Sequence, residues 1–296
     1  MVDIRETQRA IETVQGLKTV VSTMKTLSSV SIREYEKAVE SLADYNRTVE
    51  LGLRVVLQQR IHQQWPAISD GRIAAVIFGS DHGLCGKFNE TVAQHAIGKI
   101  DELKNTDEEA IFLSVGARMD AQLKSLNMDV EESFFVPGSA QAITLTVQQI
   151  LLKVDEWQKK RGVEQILLFY NRHEQHYAYQ PHMTRLWPIH LHFFQSILRE
   201  PWPTNMLPTY SMSSERLFSS LMKQYFFVTL FRASAESLAS EHASRLMSMQ
   251  AAEKNIEERL LELGSEFRQQ RQDAITDELL DIVSGFEMIE SKPNYK

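Results

Sequence analysis

The sequence predicts an α/β domain carried between two long helices that wind together. Two observations predict it: where proline and glycine fall, and the period of the apolar side chains. The prolines are Pro66, Pro137, Pro181, Pro188, Pro201, Pro203, Pro208 and Pro293, so residues 1–65 and 209–292 contain none. Proline inside a helix removes a hydrogen bond and collides with the preceding turn, at about 3 kcal/mol. Both ends are therefore permitted to be helical throughout. Eight of the twelve glycines lie between Gly71 and Gly162. The other four, Gly16, Gly52, Gly264 and Gly285, lie inside the ends, and glycine within a helix costs only about 1 kcal/mol relative to alanine.

The N-terminal element spans residues 1–65. Ile11, Val14, Leu17, Val21, Met24 and Leu27 step by three or four, and so do Tyr35, Val39, Leu42, Tyr45, Val49, Leu53 and Val56. Such one-sided stripes mark amphipathic helices. At 1.5 Å per residue, a helix of about 55 residues is roughly 80 Å long, too long for the inside of an ordinary domain. A pattern sustained well past about 25 residues points to a coiled coil. Lys18 and Lys25 interrupt the stripe, which predicts an irregular helix pair and not a uniform zipper.

The central element, residues 66–208, has another rhythm. Arg72–Phe78, Ala110–Val115 and Glu164–Tyr170 are short, almost wholly apolar runs, the pattern of buried strands. Helical stretches lie between them at Asn89–Leu103, Ala117–Leu126 and Ala140–Lys160. Strands alternating with helices imply a parallel sheet in an α/β layer. The stretch His173–Pro208, rich in proline, histidine and aromatics, reads as an edge strand followed by an irregular return. The C-terminal element, residues 209–296, carries a stripe at Met249, Ala252, Ile256, Leu260, Leu263 and Phe267, with Arg245 set into it. It predicts a helix of about 75 residues, roughly 110 Å long.

Three local features invite a chemical reading. Gly79-Ser80-Asp81-His82-Gly83-Leu84-Cys85-Gly86 follows the first central strand directly. A glycine-rich turn between strand and helix can present backbone N–H groups to a phosphate. This one lacks both the Gly-Lys-Ser/Thr ending of a P-loop and the dinucleotide fingerprint, and a tight turn explains its glycines. Asp81, His82 and Cys85 contain the residue types of a nucleophile site, yet a lone cysteine on such a turn is more often a small buried residue. His173, His176, His182, His190 and His192 cluster, but their spacing fits no compact metal-ligand pattern. Trp157, Trp187 and Trp202 read as core or interface anchors. Late in the last helix Glu266, Arg268, Arg271, Asp273, Asp277 and Glu278 form a charged stretch. Its plain reading is a solvated face with local ion pairs. The polar band at Arg271-Gln272 and Thr276 beside apolar Ala274 and Ile275 suits contact with a surrounding partner.

The bulk composition narrows the classes. Hydrophobic residues make up 43% and charged residues 24% of the 296, the range of a soluble globular protein. The net charge of −7 argues against nucleic acid as a partner, because phosphate binding needs a basic surface. No apolar run approaches the roughly 18 residues that span a bilayer. The charged start Met1-Val2-Asp3-Ile4-Arg5-Glu6 resembles neither a signal nor a transit peptide, so the mature chain is expected to begin here and to stay on the cytoplasmic side. The single cysteine, Cys85, excludes an internal disulfide and fits a reducing compartment.

Three segments in this order resemble the gamma subunit of F-type ATP synthases. The strongest runs from Ser237 through Glu241, His242, Arg245, Met249 and Ala252 to Asn255, and resumes at Arg271-Gln272, Ile275-Thr276, Glu278-Leu279 and Ile282-Val283-Ser284-Gly285. Ser80-Asp81-His82-Gly83-Leu84-Cys85-Gly86 is similar to the family's Ser-Asp-Arg-Gly-Leu-Cys-Gly, and Met24-Lys25 stands in the place of its Met-Lys pair. The resemblance implies an antiparallel coiled coil of the two terminal helices on a central Rossmann-like α/β domain. It implies a C-terminal end seated in the cavity of a hexamer of three alpha and three beta subunits. It also implies contacts of the middle domain with an epsilon-type subunit and the membrane c-ring. Met24 and Lys25 take the family's positions facing the moving lever of a beta subunit; Arg245, Gln272, Thr276 and Glu278 take its coupling and hexamer-contact positions, for which stabilising the coil itself is an equal alternative. No catalytic residue, cofactor or metal is expected, since the nucleotide chemistry belongs to the partner subunits. The implied location is peripheral, on the cytoplasmic face of a prokaryotic cell membrane.

The chain also departs from the family. Residues 1–65 carry nine basic and eight acidic side chains where the family's first helix is rich in lysine and arginine. His82 replaces an arginine, Lys87 replaces a small residue, and residues 171–208 show little resemblance. These are the marks of a divergent, alternative-type bacterial or archaeal enzyme. Two rival readings stay open at this point: a nucleotide-dependent enzyme using the Ser80–Gly86 turn, and a coiled-coil adaptor unrelated to ATP synthesis.

Overall fold

The computed structural model describes residues 4–59, 71–104, 109–174, 177–199, 202, 203, 206 and 208–290. The chain gathers into two compact units, one of residues 1–27 with 248–296 and one of residues 28–247. Helices α1 (Ile4–Ser41) and α7 (Ser214–Glu290) each run through both.

In the first unit the N-terminal turns of α1 lie along the later half of α7. Thr7 Oγ1 donates to Gln270 Oε1 at 2.9 Å, Lys18 pairs with Glu257 at 2.7 Å, and Lys25 pairs with Glu253 at 2.6 Å. Residue numbers rise on one helix as they fall on the other, so the pair is antiparallel. The lysines that interrupt the apolar stripe are thus ion-pair positions of the coil. The hydrogen bond that Lys18 donates to Glu257 raises the lysine ammonium pKa and lowers that of the carboxyl.

The second unit is built on a five-stranded sheet of β1 (Ile73–Phe78), β2 (Ile111–Val115), β3 (Val130–Phe134), β4 (Gln165–Glu174) and β5 (Tyr177–Trp187). The strand order is β3-β2-β1-β4-β5, parallel except for the antiparallel pair β4·β5. Alternate side chains face opposite sides of a strand. Ile73, Ala75, Ile77, Phe112, Leu167 and Phe169 pack on α3 (Phe88–Leu103) and α4 (Ala117–Ser125). Ala74, Val76, Phe78, Leu113, Ile166 and Leu168 pack with α5 (Ala140–Lys160) and with Tyr35, Leu230, Phe231 and Leu238 of the long helices. Burial on both faces is why the central strands read as unbroken apolar runs. Ser139 caps α5 by accepting from the Ala142 N–H. A third cluster joins Val49, Leu53 and Leu57 of α2 (Ala43–Gln59) to Phe194 of α6 (Leu191–Arg199) and Met222 of α7.

The structure differs from the sequence expectation at three places. The N-terminal end is not one helix: α1 stops at Ser41 and α2 begins at Ala43, with Leu42 N–H bonding back only three residues to Val39 O at 3.2 Å. Residues 60–65 of the expected helix lie outside the described residues. Strand β3 was not expected, because it is a sheet edge that alternates apolar Val130 and Phe134 with Glu131, Glu132 and Ser133. The return after the edge strand β5 is not wholly irregular: α6 forms between the prolines and buries Phe194 and Ile197.

Candidate functional site

Position along the two long helices decides which of the expected contact residues are available. In the coil unit Met24 is half-buried, and Lys25 is held by its ion pair to Glu253. Beyond the Thr7–Gln270 contact, α7 runs on to Glu290. From Arg271 to Ser284 every side chain except Ala274 is exposed. Gln272, Thr276 and Glu278 stand in this stretch, and the Thr276 hydroxyl only donates back to Gln272 O at 2.9 Å. Beside them Ile275, Leu279, Leu280, Ile282 and Val283 are each 49–58% exposed. An exposed run of five large aliphatic side chains on one helix end marks an interaction surface, since soluble proteins seldom leave such contiguous apolar area in water.

Arg245 is placed otherwise. It lies in the second unit, only 7% exposed. Its guanidinium pairs with Glu241 one turn earlier and reaches the Gly83 carbonyl at 3.5 Å. Burial pushes the Glu241 carboxyl up against the pull of Arg245. His242, next to Arg245 at 3.4 Å and stacked 5.7 Å from Tyr35, is pushed down to about 4, first by burial and then by the guanidinium. Arg245 is therefore a fastening inside the domain in this structure, not a presented surface group.

The glycine turn is occupied with its own chain. Gly79 N–H donates to Val115 O, and a Cβ there would meet Met119 Cβ at 2.5 Å and Asn89 Oδ1 at 2.6 Å. Ser80 is clasped by Asn89: the Ser80 N–H donates to Asn89 Oδ1 at 3.0 Å and Asn89 Nδ2 donates to Ser80 Oγ at 2.8 Å. Asp81 accepts from the Ala117 N–H at 2.8 Å and the Val136 N–H at 3.0 Å. Cys85 is buried, and burial raises its thiol pKa, the opposite of what a thiolate nucleophile requires. Its sulfur meets the His82 carbonyl and the Ser80 hydroxyl, not the His82 ring.

The histidines do not converge. His173, His182, His190 and His192 are exposed, and His176 lies outside the described residues. Among the described residues no group of three or more His, Cys, Asp or Glu is placed to hold a metal ion, and no helix is long and apolar enough to cross a membrane. Trp157 is a core anchor, fully buried, its Nε1 donating to Glu131 at 3.3 Å. Trp187 is half-buried against Phe226, and Trp202 lies 5.5 Å from the Arg54 guanidinium.

Fold and site together define a class: a protein with an α/β unit and an antiparallel helix-pair unit, whose exposed apolar surface lies on the end of α7. The comparisons with known proteins agree. A family model described as ATP synthase matches residues 3–289. The ATP synthase gamma chain of Bacteroides fragilis is 27% identical over 96% of this chain and 99% of its own length. A chain in the cryo-EM structure of the Euglena gracilis mitochondrial ATP synthase, OSCP/F1/c-ring, superposes with a TM-score of 0.61 at 17% identity, covering 99% of this chain and 97% of that one. A chain of the rotor of the same Euglena enzyme gives 0.59 at 16% identity, over 92% and 98%. The chain belongs to the ATP synthase family, and over nearly its whole length it is similar to gamma chains of that family.

Proposed function

We propose that this chain is the central shaft that couples ion flow through a membrane ring to ATP synthesis and hydrolysis in an alpha/beta hexamer. The observation that carries the reading is the exposed end of α7, where aliphatic side chains stand beside Gln272, Thr276 and Glu278. Such a surface is complete only when something surrounds it. An α3β3 cavity supplies an apolar sleeve with polar contacts. Because one helix end presents different side chains on different sides, each beta subunit meets a different face at a given rotor angle. Differential contact energy then biases each nucleotide site among its states, which is what coupling requires.

In this reading the segments 1–65 and 209–296 act as shaft and the segment 66–208 as foot. Met24 and Lys25 serve the hexamer side of the coil; Gln272, Thr276 and Glu278 serve the cavity; Arg245 contributes through what it fastens. The foot meets an epsilon-type subunit and the c-ring. The chain itself is non-catalytic, and the complex is peripheral on the cytoplasmic face of a prokaryotic cell membrane. Reconstitution tests this. Mixed with alpha and beta subunits from its own source, the chain forms a stable complex and raises ATP hydrolysis severalfold. Absence of a complex, with hydrolysis unchanged, defeats the reading. Saturable nucleotide binding by the isolated chain, measured by calorimetry, favours the rival enzyme reading instead.

A further inference from the structure

The turn Ser80–Gly86 is the motif that the rotor reading leaves without a task. It sits at the carboxyl end of β1. In open α/β sheets that position is where ligands bind, in the crevice at the point where successive strands begin to be added on the other side. Here the order β3-β2-β1-β4-β5 places that point between β1 and β4. The chain's own long helix bonds to the turn there. Ser244 Oγ of α7 donates to Cys85 O at 2.7 Å in a fully buried contact, and Arg245 Nη2 reaches Gly83 O. From β4, Asn171 Nδ2 donates to Phe88 O at 2.9 Å.

The turn is rigid from behind. Leu84 and Gly86 hold positive φ angles of 64° and 59°, and Gly116 at φ 120° leaves its missing Cβ only 2.7 Å from Ser80 O. Asp81 ties the turn to two further elements, the start of α4 at Ala117 and the segment after β3 at Val136. Arg118 N–H adds a bond to Ser80 O at 2.9 Å. Carbonyls of a braced turn thus grip two adjacent residues of α7, while Glu241 fixes the guanidinium of one of them.

We propose that the Ser80–Gly86 turn is a latch through which the α/β domain passes torque to α7, with Asp81 and Ser244 as its positioning residues. This rests on the rotor reading. A ring drives the domain, the hexamer resists the helix end, and the load must cross from sheet to helix somewhere. A buried hydrogen bond from Ser244, with the longer, part-buried reach of Arg245 beside it, joins α7 to a turn anchored on three elements.

The test uses the complete complex in vesicles, with Ser244→Ala and Asp81→Asn as variants. Ser244→Ala deletes one buried hydrogen bond and no bulk. Losing such a bond shifts the balance between latched and released states about tenfold. Asp81→Asn turns an amide N–H toward a backbone N–H that the carboxylate now accepts from. The readouts are ATP hydrolysis by the ring-free complex, where the latch carries no load, and ions pumped per ATP by the complete complex. The latch predicts unchanged ring-free hydrolysis, a lowered pumping ratio in both variants, and recovery of the ratio in Ser244→Thr, which restores the hydroxyl. An unchanged ratio in both variants overturns it, even if thermal stability falls, because the contacts are then merely structural. Parallel loss of hydrolysis and pumping overturns it too, as general damage. If the wild-type chain does not assemble with the hexamer, the rotor reading itself fails, and that is seen before any variant is made.

Discussion

Replacing Ile275, Leu279, Leu280, Ile282 and Val283 together with alanine separates a partner surface from a part of the fold. About half of each side chain is already shielded by the helix itself, and the rest is in water. Removing two or three methylene equivalents at about 0.8 kcal/mol each, with half of that surface left to bury, gives roughly 1 kcal/mol per residue on binding. Five such residues give about 5 kcal/mol as an upper bound. Ordering costs at interfaces reduce what appears as affinity, so about 2–3 kcal/mol is expected, a 30- to 150-fold weaker grip on the alpha/beta hexamer. The isolated chain loses nothing, since these residues make no described core contact and alanine is the best helix former. Its melting temperature therefore moves by no more than about 2 °C. The assay pairs calorimetric melting of the free chain with titration onto immobilised hexamer. A melting temperature lowered by many degrees, with hexamer affinity unchanged, refutes the reasoning, because the surface then belongs to the chain's own fold.

Further outcomes follow from the same contacts. His242 is held near 4 in the folded chain, below its ordinary value of about 6.5. The neutral ring is the form the fold prefers, so its contribution is full above about pH 6.5 and is lost as pH falls toward 4. Chemical denaturation across pH 4–7 should show that loss, and His242→Gln should flatten it; an unaltered profile in the variant counts against the assignment. Lys25→Glu places like charges at the Glu253 contact and weakens the coil by about 1 kcal/mol, salt-dependently. Glu253→Lys in the same chain restores melting; if coupling in the complex stays defective while melting recovers, Lys25 touches a partner as well. Trp157→Ala empties a fully buried site beneath the sheet and lowers the stability of the second unit by about 3–5 kcal/mol in denaturant titrations. A loss under 1 kcal/mol means the core is not packed as described.

What could be read from residues alone follows burial. Strands β1, β2 and β4 and helices α3 to α5 stand within a few residues of the apolar runs that announce them, because both faces of the central strands are covered. Strand β3 escaped notice because an edge strand needs only one apolar residue in two, and Glu131 and Glu132 are recruited to Trp157, Lys153 and Arg161. Helix α6 lies among prolines and histidines that mask it in the sequence, and its one signal is the spacing of Phe194 and Ile197. The break at Leu42 carries no proline or glycine and has no sequence signal that we can identify. At the candidate site, the mixed polar and apolar end of α7 was visible as a pattern, and its exposure is what the structure adds. Arg245 shows the reverse. A Glu241–Arg245 spacing of four suggests an ordinary surface pair; only the fold reveals that the glycine turn closes over it.

The central claim is rotation, and it is tested most directly by watching one molecule. With the hexamer fixed to a surface and a bead attached to the α/β domain through a cysteine replacing exposed Leu145, addition of ATP should turn the bead in one direction. The threefold hexamer should impose three equivalent pauses per revolution. ATP hydrolysis by a complex whose α/β domain stays still, or turns in either direction at random, would contradict the account.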